Sequence, residues 1–313
     1  MPQYTNLDAG ETIFFNRQLE YIKPRTYDVV KSPLKAFELI PVSSEVNPGA
    51  ESIVYYQYDQ SGFAKIIANY ADDLPRVDVH GKEFVSRIKS VGDSYGYNLQ
   101  EIRAAQYAGT NLTQRKANAA AEAQRQLWNK IAFYGDKEYN LPGLLTSPNI
   151  PSASVAADGT GSTTTWSTKT PAQIVRDVSA LINSVITLTG GAEQVNTVVL
   201  PLANYTLIAT TKNSESSDIT ILEFLQKVHP GVSFEWANEI TAASLAAAGV
   251  TDFTGNIMLA YNRSPDKLVL EMPQMFEQLP VQERGLEYIV PCHSRIAGVL
   301  VYYPLSMAIG EGI

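Results

Sequence analysis

Few side chains in this sequence could carry chemistry: three histidines (His80, His229, His293), one cysteine (Cys292) and an adjacent carboxylate pair, Asp72 and Asp73. A helical metal site needs two ligands four residues apart, and no histidine here has such a mate. Each histidine reads as an ordinary surface or interface residue. Cys292 adjoins His293, but neighbours on a strand project to opposite faces, so they do not form a nucleophile and its base. A structural thiol is the expectation. Gly159-Thr160-Gly161-Ser162 superficially resembles a phosphate loop, yet no strand leads into it, no lysine follows at the required offset and the next glycine is missing. It reads as a flexible turn. Asp72 and Asp73 precede Leu74-Pro75 in an expected surface loop, where solvated carboxylates keep their ordinary pKa. No G-x-S-x-G elbow is present, and the sequons at Asn111, Asn204 and Asn262 matter only to a secreted chain. No catalytic residue, metal or cofactor is expected. A small α/β enzyme would require a buried polar cluster that the sequence does not show.

The element best defined by the sequence is a helix from about Asn111 to Phe133, a stretch without Pro or Gly and rich in Ala, Gln and Arg. Leu127, Trp128, Ile131 and Ala132 fall on one stripe, while Arg115, Lys116, Glu122, Arg125 and Lys130 are free to face water. Leu127, Trp128 and Ile131 are the expected core of this spine, buried against the terminal sheet. Its first half carries mainly alanines, so neighbouring backbone can approach closely there. Gly135 offers the left-handed turn that closes it, and Leu141-Pro142-Gly143-Leu144-Leu145 follows.

The chain has 313 residues, 45% of them hydrophobic, enough for a substantial core in one or two domains. Its net charge of -8 argues against a protein that grips nucleic acid by a basic face, since phosphate neutralisation needs clustered Lys and Arg. No run of basic residues appears. A lone cysteine suits a reducing compartment, the start at Met1 lacks a secretory pattern, and the apolar run Ile296 to Tyr303 is too short to span a bilayer. A soluble intracellular protein is expected.

Residues 1 to about 49 contain Pro24, Pro33 and Pro41 without sustained periodicity, which suggests an extended arm with a short helix near Gly10 to Tyr21. Glu51 to Tyr58 favours strand, Asp59 to Gly62 supplies a turn, and Phe63 to Ile67 returns as strand, giving a hairpin within a β excursion that lasts to about residue 95. Its aromatics Tyr55, Tyr56, Tyr58 and Phe63 cannot be buried by a two-stranded ribbon, which marks them as interface candidates. The Ser/Thr/Gly-rich stretch Pro151 to Thr170 reads as a surface loop. Thr170-Pro171-Ala172-Gln173 opens a helix with a capping box, ended by Gly190-Gly191. Thr197 to Leu200 reads as a buried strand, Ile219 to Val228 as a helix and Val232 to Trp236 as a strand; Ile257 to Tyr261 and Leu268 to Glu271 read as a hairpin about Arg263-Ser264-Pro265-Asp266.

Together these features resemble the major capsid proteins of tailed bacteriophages, the fold named after phage Hong Kong ninety-seven and shared with encapsulin shells. The resemblance rests on the order of parts, on Tyr97-Asn98-Leu99-Gln100-Glu101 through the spine to Ala132-Phe133-Tyr134-Gly135-Asp136, and on Leu141 to Pro148. Asp72 to Asp78 and Ser294-Arg295-Ile296-Ala297-Gly298-Val299 through Pro304 add to it. It implies an α+β fold with an N-terminal arm (1–49), an extended β loop (50–96), a peripheral domain with the spine helix (97–150 and 276–313) and an axial α/β domain (151–275). It implies a structural protein that self-assembles through pentamers and hexamers into an icosahedral shell around double-stranded phage DNA. The implied setting is the virion, assembled in the host bacterial cytoplasm, with separate scaffolding, portal and decoration proteins as partners. DNA contact would be weak and non-specific, and no membrane would be involved. An encapsulin-like compartment holding a cargo enzyme is the alternative within the fold. Some relatives weld their shells by Lys to Asn bonds; Lys65 and Lys82 lie in the region that would supply the lysine, but no partner asparagine or base is legible, so no cross-links are expected. Nor is N-terminal maturation cleavage.

Overall fold

The computed structural model describes residues 31–65, 75–109 and 112–313. The helix expected near residues 10 to 21 and the Asp72-Asp73 pair lie outside them. Contacts divide the chain into Met1–Pro33 and Leu34–Ile313, and every element below belongs to the second unit.

The order is α1 (Ala36–Leu39), β1 (Val42–Ser43), β2 (Ser52–Ser61), β3 (Asp78–Arg87), β4 (Lys89–Asn98), α2 (Leu99–Ala108) and α3 (Leu112–Tyr134). There follow β5 (Ser152–Ser154), α4 (Pro171–Leu188), β6 (Thr197–Leu200), α5 (Leu202–Thr210), α6 (Ile221–Val228), β7 (Ser233–Trp236) and α7 (Ala242–Ala247). The remainder is β8 (Ile257–Tyr261), β9 (Leu268–Glu271), β10 (Gln274–Gln278), β11 (Gln282–Arg284), β12 (Glu287–Ile296), β13 (Gly298–Val301) and β14 (Met307–Glu311).

The spine α3 matches its sequence expectation closely. Its predecessor α2 begins at a capping box in which Asn98 Oδ1 accepts from Glu101 N at 2.7 Å and Glu101 Oε2 accepts from Asn98 N at 3.2 Å. It stops at Gly109, whose φ of 64° is left-handed. Trp128 and Ile131 are each 4% exposed and join the main core with Phe133, Leu144, Leu270 and Val299. Leu127 departs from expectation: it is 39% exposed. A turn of 3.6 residues sets Leu127 about 100° from Trp128, off the buried stripe.

The end of α3 shows why the segment after it is rich in glycine. The N–H groups of Leu144 and Leu145 bond the carbonyls of Ala132 and Phe133 at 2.8 and 2.9 Å, and Thr146 Oγ1 donates to the Tyr134 carbonyl at 3.1 Å. Three carbonyls that a helix end leaves unpaired are thereby satisfied by a segment folded back on it. Gly135 takes φ 67°, and a Cβ there would meet Gly143 N at 2.8 Å. Only a side-chain-free crossing fits this approach.

The five-stranded sheet has the order β5-β14-β8-β6-β7. Leu259, Tyr261, Met307 and Ile309 feed the core shared with the spine; Met258, Ala260 and Ala308, one residue out of phase, feed a second core with Ile174, Val178, Ile182 and Val185 of α4. Both faces are covered at its centre, so β6 and β8 read as nearly continuous apolar runs. The strand β14, grouped by sequence with the spine segment, pairs here with β8 and β5.

Among the described residues two expected hairpins are not formed, the return strand of one running past them at 66–67. β8 and β9 lie in different sheets, since β9 pairs with β1 and β13. The predicted turn at Asp59 to Gly62 is strand up to Ser61, and β2 pairs with β3, Ser52 opposite Arg87 through Ser61 opposite Asp78. Polar turn residues can be accommodated in a ribbon that is wet on both faces, which is why composition placed the turn too early. The 151–170 stretch also holds more structure than a loop: β5 adds parallel to β14, and Trp166, 1% exposed, plugs the second core.

Candidate assembly surface

Among the described residues no group of three or more His, Cys, Asp or Glu is placed to hold a metal. Cys292 faces inward, 2% exposed on β12, and burial followed by the Asp93 charge pushes its thiol pKa up, so it stays protonated. His229 Nε2 lies 3.2 Å from Ser179 Oγ, with its pKa lowered by burial, and no carboxylate is recorded on the pair. Gly159 to Ser162 is closed by threonines, Gly159 N bonding the Thr163 carbonyl at 2.9 Å. None of the described elements is a helix long and apolar enough to cross a membrane.

What the structure does present is the antiparallel ribbon β2–β3. At its root Ser86 Oγ donates to the Ala297 carbonyl at 3.2 Å and Ile88 N to the Glu51 carbonyl at 3.0 Å. Tyr55 stacks on its cross-strand partner Phe84, centroids 5.1 Å apart, and meets Tyr302 edge-on at 5.0 Å. Of the four aromatic candidates, then, Tyr55 is engaged by its own subunit. Beyond the root the ribbon is bare: Tyr56, Tyr58 and Phe63 are 63%, 67% and 72% exposed, and Val54, Val79 and Val85 are exposed beside them. Tyr58 lies over Gly81, where a Cβ would come within 3.0 Å of its ring.

The root is also where charge is buried. Glu271, at the end of β9, is 6% exposed, and its Oε2 has no hydrogen-bond partner. Burial raises its pKa, a bond from Ser43 opposes that, and the nearby Glu45 adds to the rise. The Tyr302 hydroxyl is pushed up to about 12, mainly by burial and then by the Glu271 charge. Beside it a cleft of about 1210 Å³ opens, lined by Tyr55, Phe84, Tyr134, Leu188 and Tyr302. Sequence reasoning missed Tyr302 and Ser86 as anchors, because nothing local marks a contact made across two hundred residues, and it missed Phe84 because the turn was placed too early to set it opposite Tyr55.

A second fixed point is a charge network beneath the 151–170 stretch. Lys169 Nζ, fully buried, reaches Asp177 Oδ2 at 2.5 Å and the Ala156 carbonyl at 2.7 Å. Arg176 bridges Asp158 at 2.5 Å and Asp177 at 2.8 Å. The Arg176 bond, with help from Lys169 against some desolvation, holds the Asp158 pKa down at about 2. This clamps a loop of otherwise weak sequence preference onto α4.

Comparison with known proteins places this arrangement. A sequence model of the family described as "Major capsid protein" matches residues 62–313. No curated protein matches the chain. Among solved structures, the capsid of Myoviridae phage XM1 aligns with a TM-score of 0.81 at 18% identity, covering 96% of this chain and 99% of that one. A chain from Mycobacterium phage Ogopogo aligns at 0.61 and 10% identity over 96% and 99%. The virus-like particle from Pyrococcus furiosus aligns at 0.52 and 14% identity over 90% and 92%.

Proposed function

Because this chain belongs to the major capsid protein family, we propose that it builds an icosahedral tailed-phage shell from pentamers and hexamers around double-stranded DNA. It is a structural protein, and its working parts are surfaces that recur from copy to copy. The observation that carries the reading is the β2–β3 ribbon, which exposes Tyr56, Tyr58, Val54, Val79 and Val85 although its root is fixed to the core. An isolated two-stranded ribbon has too little partner area to hide such side chains, so a neighbouring copy is their natural cover. Head-to-tail contacts of this kind close into rings when the rotation permits.

The proposed parts are 1–49 for the arm, 50–96 for the extended loop, 97–150 with 276–313 for the peripheral domain and 151–275 for the axial domain, with β14 of the 276–313 segment lending its strand to the axial sheet. Scaffolding, portal and decoration proteins would be separate chains. Negative-stain microscopy with sizing of the purified protein tests the reading, with rings or shells expected; a protein monomeric at every concentration and salt would overturn it. A compartment around a cargo enzyme is the alternative the fold permits, and co-purified nucleic acid against co-purified protein separates the two. The higher TM-score to the phage XM1 capsid than to the Pyrococcus particle supports the phage reading.

A further inference from the structure

The α2–α3 segment is a basic island in an acidic chain. Residues 99–134 carry Arg103, Arg115, Lys116, Arg125 and Lys130 against Glu101 and Glu122, while the whole chain has a net charge of -8. Lys116 is spent internally, its Nζ bonding Glu101 Oε2 at 3.0 Å and the Gly96 carbonyl at 2.6 Å. Glu122 lies on the same side of α3 as Arg115 and Arg125 and accepts a bond from Gln126 at 3.4 Å, so that side keeps an excess of positive charge that this one carboxylate only reduces. Arg115, Arg125 and Lys130 are exposed and have no carboxylate partner among the described residues. At 3.6 residues per turn they fall on the half of α3 turned away from Ala120, Gln124, Trp128 and Ile131, the residues it buries. The helix thus collects on one side cations that the sequence spaces five and ten residues apart.

We propose that this side of α3 is the surface on which the shell touches packaged duplex DNA, through phosphate contacts from Arg115, Arg125 and Lys130. The proposal rests on the capsid reading and assigns the face. From Arg115 to Lys130 the axis advances about 22 Å at 1.5 Å per residue. That is roughly six base-pair steps at 3.4 Å, enough for several phosphates of one strand. Three cations per subunit make a weak contact that salt disrupts. Repetition over many copies makes it collectively effective while each contact stays free to slip. Phosphate contacts position a duplex without reading its bases, so the contact carries no sequence preference.

The test measures binding of a labelled duplex of about 30 base pairs to full-length unassembled subunits by anisotropy across a salt series. Arg115→Ala/Arg125→Ala/Lys130→Ala is compared with a control of equal charge loss, Lys137→Ala/Lys227→Ala/Arg284→Ala, all exposed. The α3 variant should flatten the salt slope by about 2–3, near 0.9 per phosphate contact, and weaken low-salt binding at least tenfold. The control should change neither. Equal effects in both variants, or no binding by the unaltered protein at the lowest salt, would overturn the proposal. Micrographs of the same samples separate this from the capsid reading: shells with unaltered DNA binding sink only the α3 assignment, whereas absence of assembly sinks the shell.

Discussion

Trp128 Nε1 donates to Ser294 Oγ at 3.2 Å, and both residues are buried, so one bond ties the spine helix to the strand β12 that lies against it. Phe37 meets the same indole edge-on at 5.9 Å. Trp128→Ala should therefore cost roughly 3–5 kcal/mol as a core cavity, plus an unpaired Ser294 hydroxyl. Leu127→Ala, one residue away, should cost no more than about 1 kcal/mol. Denaturant melts of the two variants check this; similar losses would mean the helix face is misassigned.

A change at Gly298 should be more severe than its size suggests. The residue has φ 81°, and a Cβ there would run into the Pro142 carbonyl, whose oxygen accepts from Val299 N at 2.8 Å. Gly298→Ala adds only a methyl group, yet the expected result is loss of soluble subunit. Soluble yield and melting temperature are the readouts, with Ala297→Gly as the tolerated neighbour to compare.

Acid should loosen the 151–170 stretch. The Asp158 carboxyl is depressed to about 2 from an ordinary 3.8, chiefly by Arg176. A depressed carboxylate contributes stability that is complete above about pH 4 and is lost as pH falls through 2. Asp158→Asn should melt earlier than the unaltered protein at pH 6, and the two curves should converge near pH 2. A constant offset across that window would show that the charge is not what matters.

Limited proteolysis should report the ribbon. Cleavage between Tyr58 and Ile67 is expected to be fast in unassembled subunits and slow in shells, since Tyr58 and Phe63 are bare in the single chain. Equal resistance in the two states would remove the ribbon from the assembly surface.

Covalent welding is not expected. Lys82 sits over the Phe84 ring at 4.9 Å, a contact within its own subunit that a bond to a neighbour would have to give up. Boiled in detergent, shells should run as single chains; a ladder of multimers would contradict this.

The legible parts were those with local causes. The spine shows itself through its unbroken helix formers, α4 through its capping box and stripe, and β6 through its apolar run. The ribbon's bare aromatics were visible because a two-stranded element has nowhere to put them. What escaped had its cause elsewhere in the chain. Leu127 looked like core because its neighbours are core, and the 100° between adjacent residues was decisive. Tyr55 joined the exposed set by composition, yet Tyr302 captures it. Trp166 sat in a Ser/Thr-rich stretch whose anchor, the Lys169 and Asp177 pair, spans a loop and a helix. The pairing of β8 and β9 with different sheets depends on distant strands, β6 and β1 made earlier in the chain and β14 and β13 made later.

That late arrival sets an order of events during synthesis. β14 lies between β5 and β8, yet these are formed from residues 152–154 and 257–261, long before 307–311. Until β14 is made, the slot between them stands empty and both cores lack a wall. A nascent chain halted before Met307 would hold two unsatisfied strand edges, attractive to chaperones and proteases. Only a chain translated past that point could complete the sheet, so truncated products would be kept out of a growing shell by their own failure to fold.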